Sequence, residues 1–203
     1  MKKIFFCLAL VLQLSMALFS IALAGELENS LIMYASIGDL TSVRNVVEKG
    51  ANINARDAVG MTALINTVRM GGDRNKDVAL FLIEKGADVN AYDKYGRTPL
   101  MHAAQAGSVN IVNALIEKGA NLNAQDEYGN TALMHAIRSP RADVVRLLIE
   151  KGASLNVPDK LGQTALKIAR FLKNVGKADF GFGPKQQSEI EEIVRMLERS
   201  GAR

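Results

Sequence analysis

In 203 residues the chain has one cysteine, two histidines, four prolines and no tryptophan. These scarcities exclude classes of chemistry. The single cysteine, Cys7, has no partner for an intrachain disulfide. His102 and His135 are the only histidines, too few with one cysteine to complete a tetrahedral metal centre. The same shortage argues against Ser-His-Asp or Cys-His catalysis, so neither a cofactor nor an enzymatic role is expected. A net charge of +4 is too weak a bias to argue for nucleic acid as a partner. Gly181-Phe-Gly183-Pro184 is glycine-rich but lacks the spacing and the Lys-Ser/Thr of a phosphate loop.

The N-terminus is set apart. Met1-Lys2-Lys3 is basic, Ile4 to Ala24 carries no charge, and Ala22-Leu23-Ala24 is a small-x-small site directly before Gly25-Glu26. That order is the pattern of a secretory signal peptide over residues 1–24, cleaved after Ala24. The alternative is an uncleaved anchor, since the uncharged run is long enough to cross a bilayer. Gln13, Ser15 and Ser20 interrupt that run, and the small residues suit cleavage. In either case the lysines stay inside and the remainder is exported. The short Lys-Lys segment is bacterial in style, which makes the periplasm the expected destination and secretion the alternative. Cys7 leaves with the signal, so residues 25–203 must be stabilised by packing alone, with no stable membrane insertion.

Within that remainder one motif recurs. Gly-x-Thr-x-Leu begins at Gly60, Gly96, Gly129 and Gly162, with spacings of 36, 33 and 33 residues. Glu-Lys-Gly-Ala runs in phase with it from Glu48, Glu84 and Glu117, and from Glu150. Two motifs locked to one period identify a stack of repeats. In the unit from Asp93 to Gln125, Gly96 ends a polar turn and supplies positive φ. Thr98 caps a helix with Pro99 at its first position. Leu100, Ala103 and Ala104 form its inward stripe, and Gly107 breaks it. Ile111, Val112, Leu115 and Ile116 make the apolar face of a second helix, which Gly119 ends. Asn121 to Asp126 then alternates as an extended finger.

This pattern resembles the ankyrin repeat, a turn with two antiparallel helices and a projecting hairpin. The resemblance implies an all-α solenoid of five repeats, at about 27–56, 57–92, 93–125, 126–158 and 159–203, forming one domain over residues 25–203. The first repeat departs, with Leu27 in place of the turn glycine, while Asn29-Ser30-Leu31 keeps a capping residue before an apolar run. The second repeat carries three extra residues around Gly71-Gly72-Asp73. The fifth carries sixteen, with Asn174–Gln187 expected as a loop bearing Phe180 and Phe182. The family's histidine after Thr-Pro-Leu is Met101 here, and His102 and His135 sit one position later. Arg44, Asn45 and Glu48 at one end, and Glu191, Glu192, Arg195, Glu198 and Arg199 at the other, are expected as polar caps.

The resemblance also implies where a partner protein binds: at the finger tips and on the exposed side of each first helix, a concave face. By position the tips include Tyr92, Tyr95 and Tyr128, on two neighbouring fingers. Two readings stand for them, partner contact and packing of finger against finger. The concave column reads Ser36, Arg69, Gln105, Arg138 and Phe171. Arg69 and Arg138 suit an acidic partner, against the alternative of a solvated polar face. Reversing both charges is expected to leave the core undisturbed. The expected molecule is a monomer that binds a protein, without cofactor, metal or nucleic acid.

The exported product is expected to begin at Gly25. N-terminal sequencing checks this, and a membrane-bound product retaining Lys2 and Lys3 would refute it.

Overall fold

The computed structural model describes residues 25–179 and 181–203. The expected cleavage after Ala24 and the residue Phe180 therefore lie outside the described residues. The described chain is a series of helix pairs: α1 (25–37) with α2 (Leu40–Glu48), α3 (Ala63–Met70) with α4 (Asp73–Glu84), and α5 (Pro99–Ala106) with α6 (Val109–Glu117). Then come α7 (Ala132–Arg138) with α8 (Ala142–Glu150), and α9 (Ala165–Asp179) with α10 (Pro184–Arg199). Among the described residues the only β pairing is an isolated bridge between Arg56 and Thr62.

The first helix of each middle repeat begins for a local reason. Thr62, Thr98 and Thr131 sit in extended backbone, and their hydroxyls accept the N–H groups of Ile65, Met101 and Met134. Pro99 occupies the start of α5, where no N–H is needed. These helices have only seven or eight residues, too few to persist alone in water. They are held by stacking. Leu64, Leu100 and Leu133 are fully buried, and Ala63, Ala103, Ala104, Ala132 and Ala136 let neighbouring helices approach closely. The helices α3, α5, α7 and α9 stack in one layer, and α2, α4, α6, α8 and α10 in a second. Val43, Val78, Val112, Val145 and Ile193 line the second layer's buried side. The α1 helix joins through Thr67, whose hydroxyl donates to Ala35 O at 3.2 Å and to Ala63 O at 2.8 Å.

Two expectations are corrected. Asn29 caps nothing: helix runs through 25–37, because no turn glycine interrupts it, and Leu27 packs on the core. Most of the stretch Asn174–Gln187 is helix rather than loop, with 181–183 the non-helical part among the described residues. The α9 helix continues to Asp179, twice the length of its counterparts, and Pro184 is the first residue of α10 rather than a loop proline. Gly176 lies within α9, a tolerable cost of about 1 kcal/mol. The Gln186 side chain accepts the Gly183 N–H at 3.1 Å and closes the start of α10. In the second repeat α4, which begins at Asp73, has 12 residues where α6 and α8 have 9, so the three extra residues lengthen a helix. At the ends of the array Arg44 is exposed and lies 4.5 Å from the centre of the Phe81 ring on α4, and the half-buried Glu192 pairs with Arg146 on α8.

Between helix pairs the chain projects as fingers joined by their backbones. The Glu127 N–H donates to Tyr95 O, and the Lys160 N–H to Tyr128 O, each at 2.9 Å. That spacing leaves no room beside Gly129. Its φ is +82°, and a Cβ there would meet Lys160 N at 2.8 Å and Asp159 Cα at 3.0 Å. Gly162 has a similar φ of +71° but open space around it. Gly129→Ala is therefore expected to destabilise by about 2–3 kcal/mol and Gly162→Ala by about 1 kcal/mol, the second from backbone strain alone. Urea melts measure both, and equal losses would show that the fingers do not abut as described.

Candidate functional site

Each finger turns on an aspartate. The Asp57 Oδ1 accepts the N–H groups of Val59 and Met61, both at 2.9 Å. Asp93 does the same with Tyr95 and Arg97, Asp126 with Tyr128 and Asn130, and Asp159 with Leu161 and Gln163. One oxygen thus fixes the two residues that shape the tip. Asp93, Asp126 and Asp159 are buried, so the second oxygen also needs a partner.

That partner changes along the array. In the third and fourth repeats it is a histidine from the following helix: His102 Nε2 lies 3.0 Å from Asp93 Oδ2, and His135 Nε2 lies 2.9 Å from Asp126 Oδ2. Both imidazoles are buried. Met101 and Met134, in the position where the resemblance places a histidine, are core residues 1% exposed. The histidine one place later carries the polar contact. In the fifth repeat the equivalent position is Ile168, which cannot hydrogen-bond. Arg138 of the preceding repeat replaces it, donating from one terminal nitrogen to Asp159 Oδ2 and to Asn130 Oδ1, each at 3.2 Å.

Burial depresses the pKa of both histidines below 6.5, outweighing the pull of Asp93 and Asp126 toward the charged form, and the Arg97 guanidinium adds to the depression. Both are thus neutral at pH 7, with the Nε2–H donating to the carboxylate. Burial alone would raise the Asp126 carboxyl. The N–H of Asn130, the His135 ring and the N–H of Tyr128 outweigh it and hold Asp126 below its ordinary value.

The residues singled out from sequence fall on the face shared by the first helices and the fingers. Arg69, Gln105 and Arg138 are all exposed near the ends of α3, α5 and α7. Arg69 bonds Asn66 Oδ1 at 3.4 Å. Arg138 is partly engaged by Asp159, so reversing its charge would set a carboxylate against a buried carboxylate. The expectation that such a change spares the core is corrected accordingly. Tyr92, Tyr95 and Tyr128 are 60%, 40% and 55% exposed. Neighbouring fingers are joined by backbone bonds, while two of the rings meet cations: Arg56 lies 5.1 Å from the Tyr92 ring centre and Lys94 4.8 Å from that of Tyr95.

Two groups went unrecognised in the sequence. The Asn54, Asn90, Asn123 and Asn156 side chains each accept a backbone N–H from the next finger or the chain end, from Asp88, Asn121, Ser154 and Arg203 at 2.7–2.8 Å. Their recurrence at the repeat period was the available signal. Arg97 was also passed over. It follows the turn glycine, and its guanidinium acts on both buried histidines. Its Nε is buried without a hydrogen-bond partner.

Charge on this face is one-sided. Two residues past each turn aspartate stand Val59, Tyr95, Tyr128 and Leu161; four past it, Met61, Arg97, Asn130 and Gln163. Nine past it stand Asn66, His102, His135 and Ile168; twelve past it, Arg69, Gln105, Arg138 and Phe171. Three of these positions are arginine and none is a carboxylate, although Glu127 stands at one tip. Among the described residues no three His, Cys, Asp or Glu side chains converge as a metal site would need.

Two family models for ankyrin repeats match the chain, one of three copies over residues 31–126 and one of many copies over residues 115–169. The aspartate turns at 57, 93, 126 and 159 all lie inside the matched range. Among curated proteins none matches the chain.

The buried histidines make stability depend on pH. Their folded pKa lies below the unfolded value, so well above pH 6.5 both states are neutral and the histidines cost no stability. As pH falls through 6.5 toward the folded pKa, the unfolded chain takes up protons that the folded one resists, and stability declines. Protonation of Asp126 adds a further decline below 3.8. Replacing both histidines with Asn, the residue at position 66, is expected to flatten the first decline. Urea melts from pH 7.5 downward measure the slope, and an unchanged slope in the double variant would refute the assignment.

Proposed function

The chain belongs to the ankyrin repeat family, and from that premise we propose that it is a non-enzymatic module which takes an acidic protein partner on its inner face. The family indicates protein–protein interaction. The columns that hold Arg69, Arg97 and Arg138 and no carboxylate carry the choice of an acidic partner. Such a face attracts acidic surfaces and repels basic ones, which sets partner choice and association rate. The exposed tyrosines at the tips offer large, stiff contact areas beside these cations.

The proposed site of action is the periplasm. The support is the N-terminal pattern: Lys2 and Lys3, an uncharged run, and Ala22-Leu23-Ala24. Among the described residues no helix is long and apolar enough to cross a membrane. Cell fractionation separates retention in the periplasm from release into the medium, the result that would make the protein a secreted factor acting on another cell.

Crosslinked recovery from periplasm tests the partner. Arg69→Glu with Arg138→Gln keeps a neutral hydrogen-bonding group near Asp159. It is expected to lower partner recovery at least about fivefold with the circular dichroism spectrum unchanged. Recovery by the parent protein should weaken as ionic strength rises past about 0.15 M. If the arginine pair has no effect and Tyr95→Ala with Tyr128→Ala abolishes recovery, the tips are the site and the charge argument fails.

A further inference from the structure

The fifth repeat changes the chemistry of the inner face column by column. Leu161 stands where earlier fingers place Tyr95 and Tyr128, and Ile168 where they place His102 and His135. Phe171 stands where they place Arg69, Gln105 and Arg138, and beside it Leu172 occupies the position of Ser139. Relative to the fourth repeat, with Tyr128, His135, Arg138 and Ser139, every exchange replaces a polar or amphipathic residue with an aliphatic or aromatic one. The longer last repeat adds Phe182, between α9 and α10. These side chains converge on a pocket of about 430 Å³, with Arg138 and Gln163 also lining it.

This apolar character is confined to one side of the repeat. A terminal repeat needs a polar outer surface to stay soluble, and Lys167, Arg170 and Glu198 are exposed there, with Arg170 paired to Glu198 at 2.7 Å. On the inner face the opposite holds. Leu161 is 83% exposed and Phe171 56%. A second depression of about 330 Å³ adjoins the first, sharing Arg138 and Phe182 and adding Arg141 and Lys185, with Glu189 the carboxylate at its edge. The apolar pocket therefore opens toward cations on one side, and along the face Arg138 is followed by Arg97 and Arg69.

We infer that this pocket seats one large apolar side chain of an extended acidic peptide segment, which then runs across the arginines of the preceding repeats. The inference rests on the inner face being the binding surface and adds the anchor that sets the register of the bound segment. Charge complementarity selects the occupant. The arginines are spread over three repeats, farther than a single anionic headgroup reaches, and no carboxylate occupies the columns between them. The apolar anchor supplies affinity by leaving water, and the acidic run supplies orientation.

Display of random peptides on the protein tests this, using the parent, a Leu161→Ser/Phe171→Ser variant and the Arg69→Glu/Arg138→Gln variant. The parent should enrich acidic peptides that carry one large apolar residue at a constant position relative to the acidic run. The pocket variant should keep the acidic preference and lose the apolar one. The arginine variant should lose the acidic preference. By fluorescence anisotropy, the best parental peptide, synthesised with a dye, should bind the pocket variant about tenfold or more weakly. Leu161→Ser alone, at a side chain standing in solvent, serves if the double variant melts early, and it should weaken the same peptide in the same direction. Acidic enrichment without an apolar preference, or equal binding by the pocket variants, overturns the pocket and leaves the inner-face reading standing. Absence of acidic enrichment on the parent overturns both.

Discussion

A carboxylate oxygen that accepts two backbone N–H groups closes every finger of this molecule, at Asp57, Asp93, Asp126 and Asp159. The rest of the architecture depends on it. It sets the turn, the turn sets the glycine that admits the next finger, and the abutting backbones place the tips in line. A charge held this way in a buried position would be costly if its other oxygen were left bare. That oxygen accepts from a neutral imidazole in two repeats and from a guanidinium in another. The tight spacing around Gly129 follows from the same turn, whereas the acid sensitivity of the histidines comes from their burial, against the pull of the carboxylates.

Because each repeat spends its apolar residues on its neighbours, specificity is left to positions that stacking does not use. Those positions form columns, and a column can change chemistry from one repeat to the next without disturbing the core. Arginine occurs in the middle of the array and aliphatic or aromatic residues at its end, while the buried leucines beneath are nearly constant. The extra residues of the last repeat follow the same logic. They lengthen α9 and re-aim the chain into α10, so that Phe182 returns to the face on which Leu161 and Phe171 lie.

Much of this was legible in the sequence. The period, the threonine caps, the glycine helix ends and the buried Leu64, Leu100 and Leu133 all follow from spacing, because a cap or a helix end is made by residues a few positions apart. The tips carrying Tyr92, Tyr95 and Tyr128 and the column of Arg69, Gln105 and Arg138 were placed by counting from the same period. The start of α1 and the length of α9 were misread, since the absence of a stop signal in one and the presence of Gly176 in the other are weak local cues that packing overrides.

By itself, then, the sequence determined the repeat, its register and which residues face the core, since the bonds that define a unit close within about one period of 33 residues. Only the tertiary structure decided which polar groups satisfy one another. Asp159 meets Arg138 rather than a histidine, each finger asparagine meets the backbone of the next finger, and Phe182 joins Leu161 and Phe171 around one pocket. The physical reason is that a hydrogen bond or an apolar contact between repeats depends on the rotation and offset of one unit upon the next. That relation is set by the packing of whole helices, and no spacing along the chain records it.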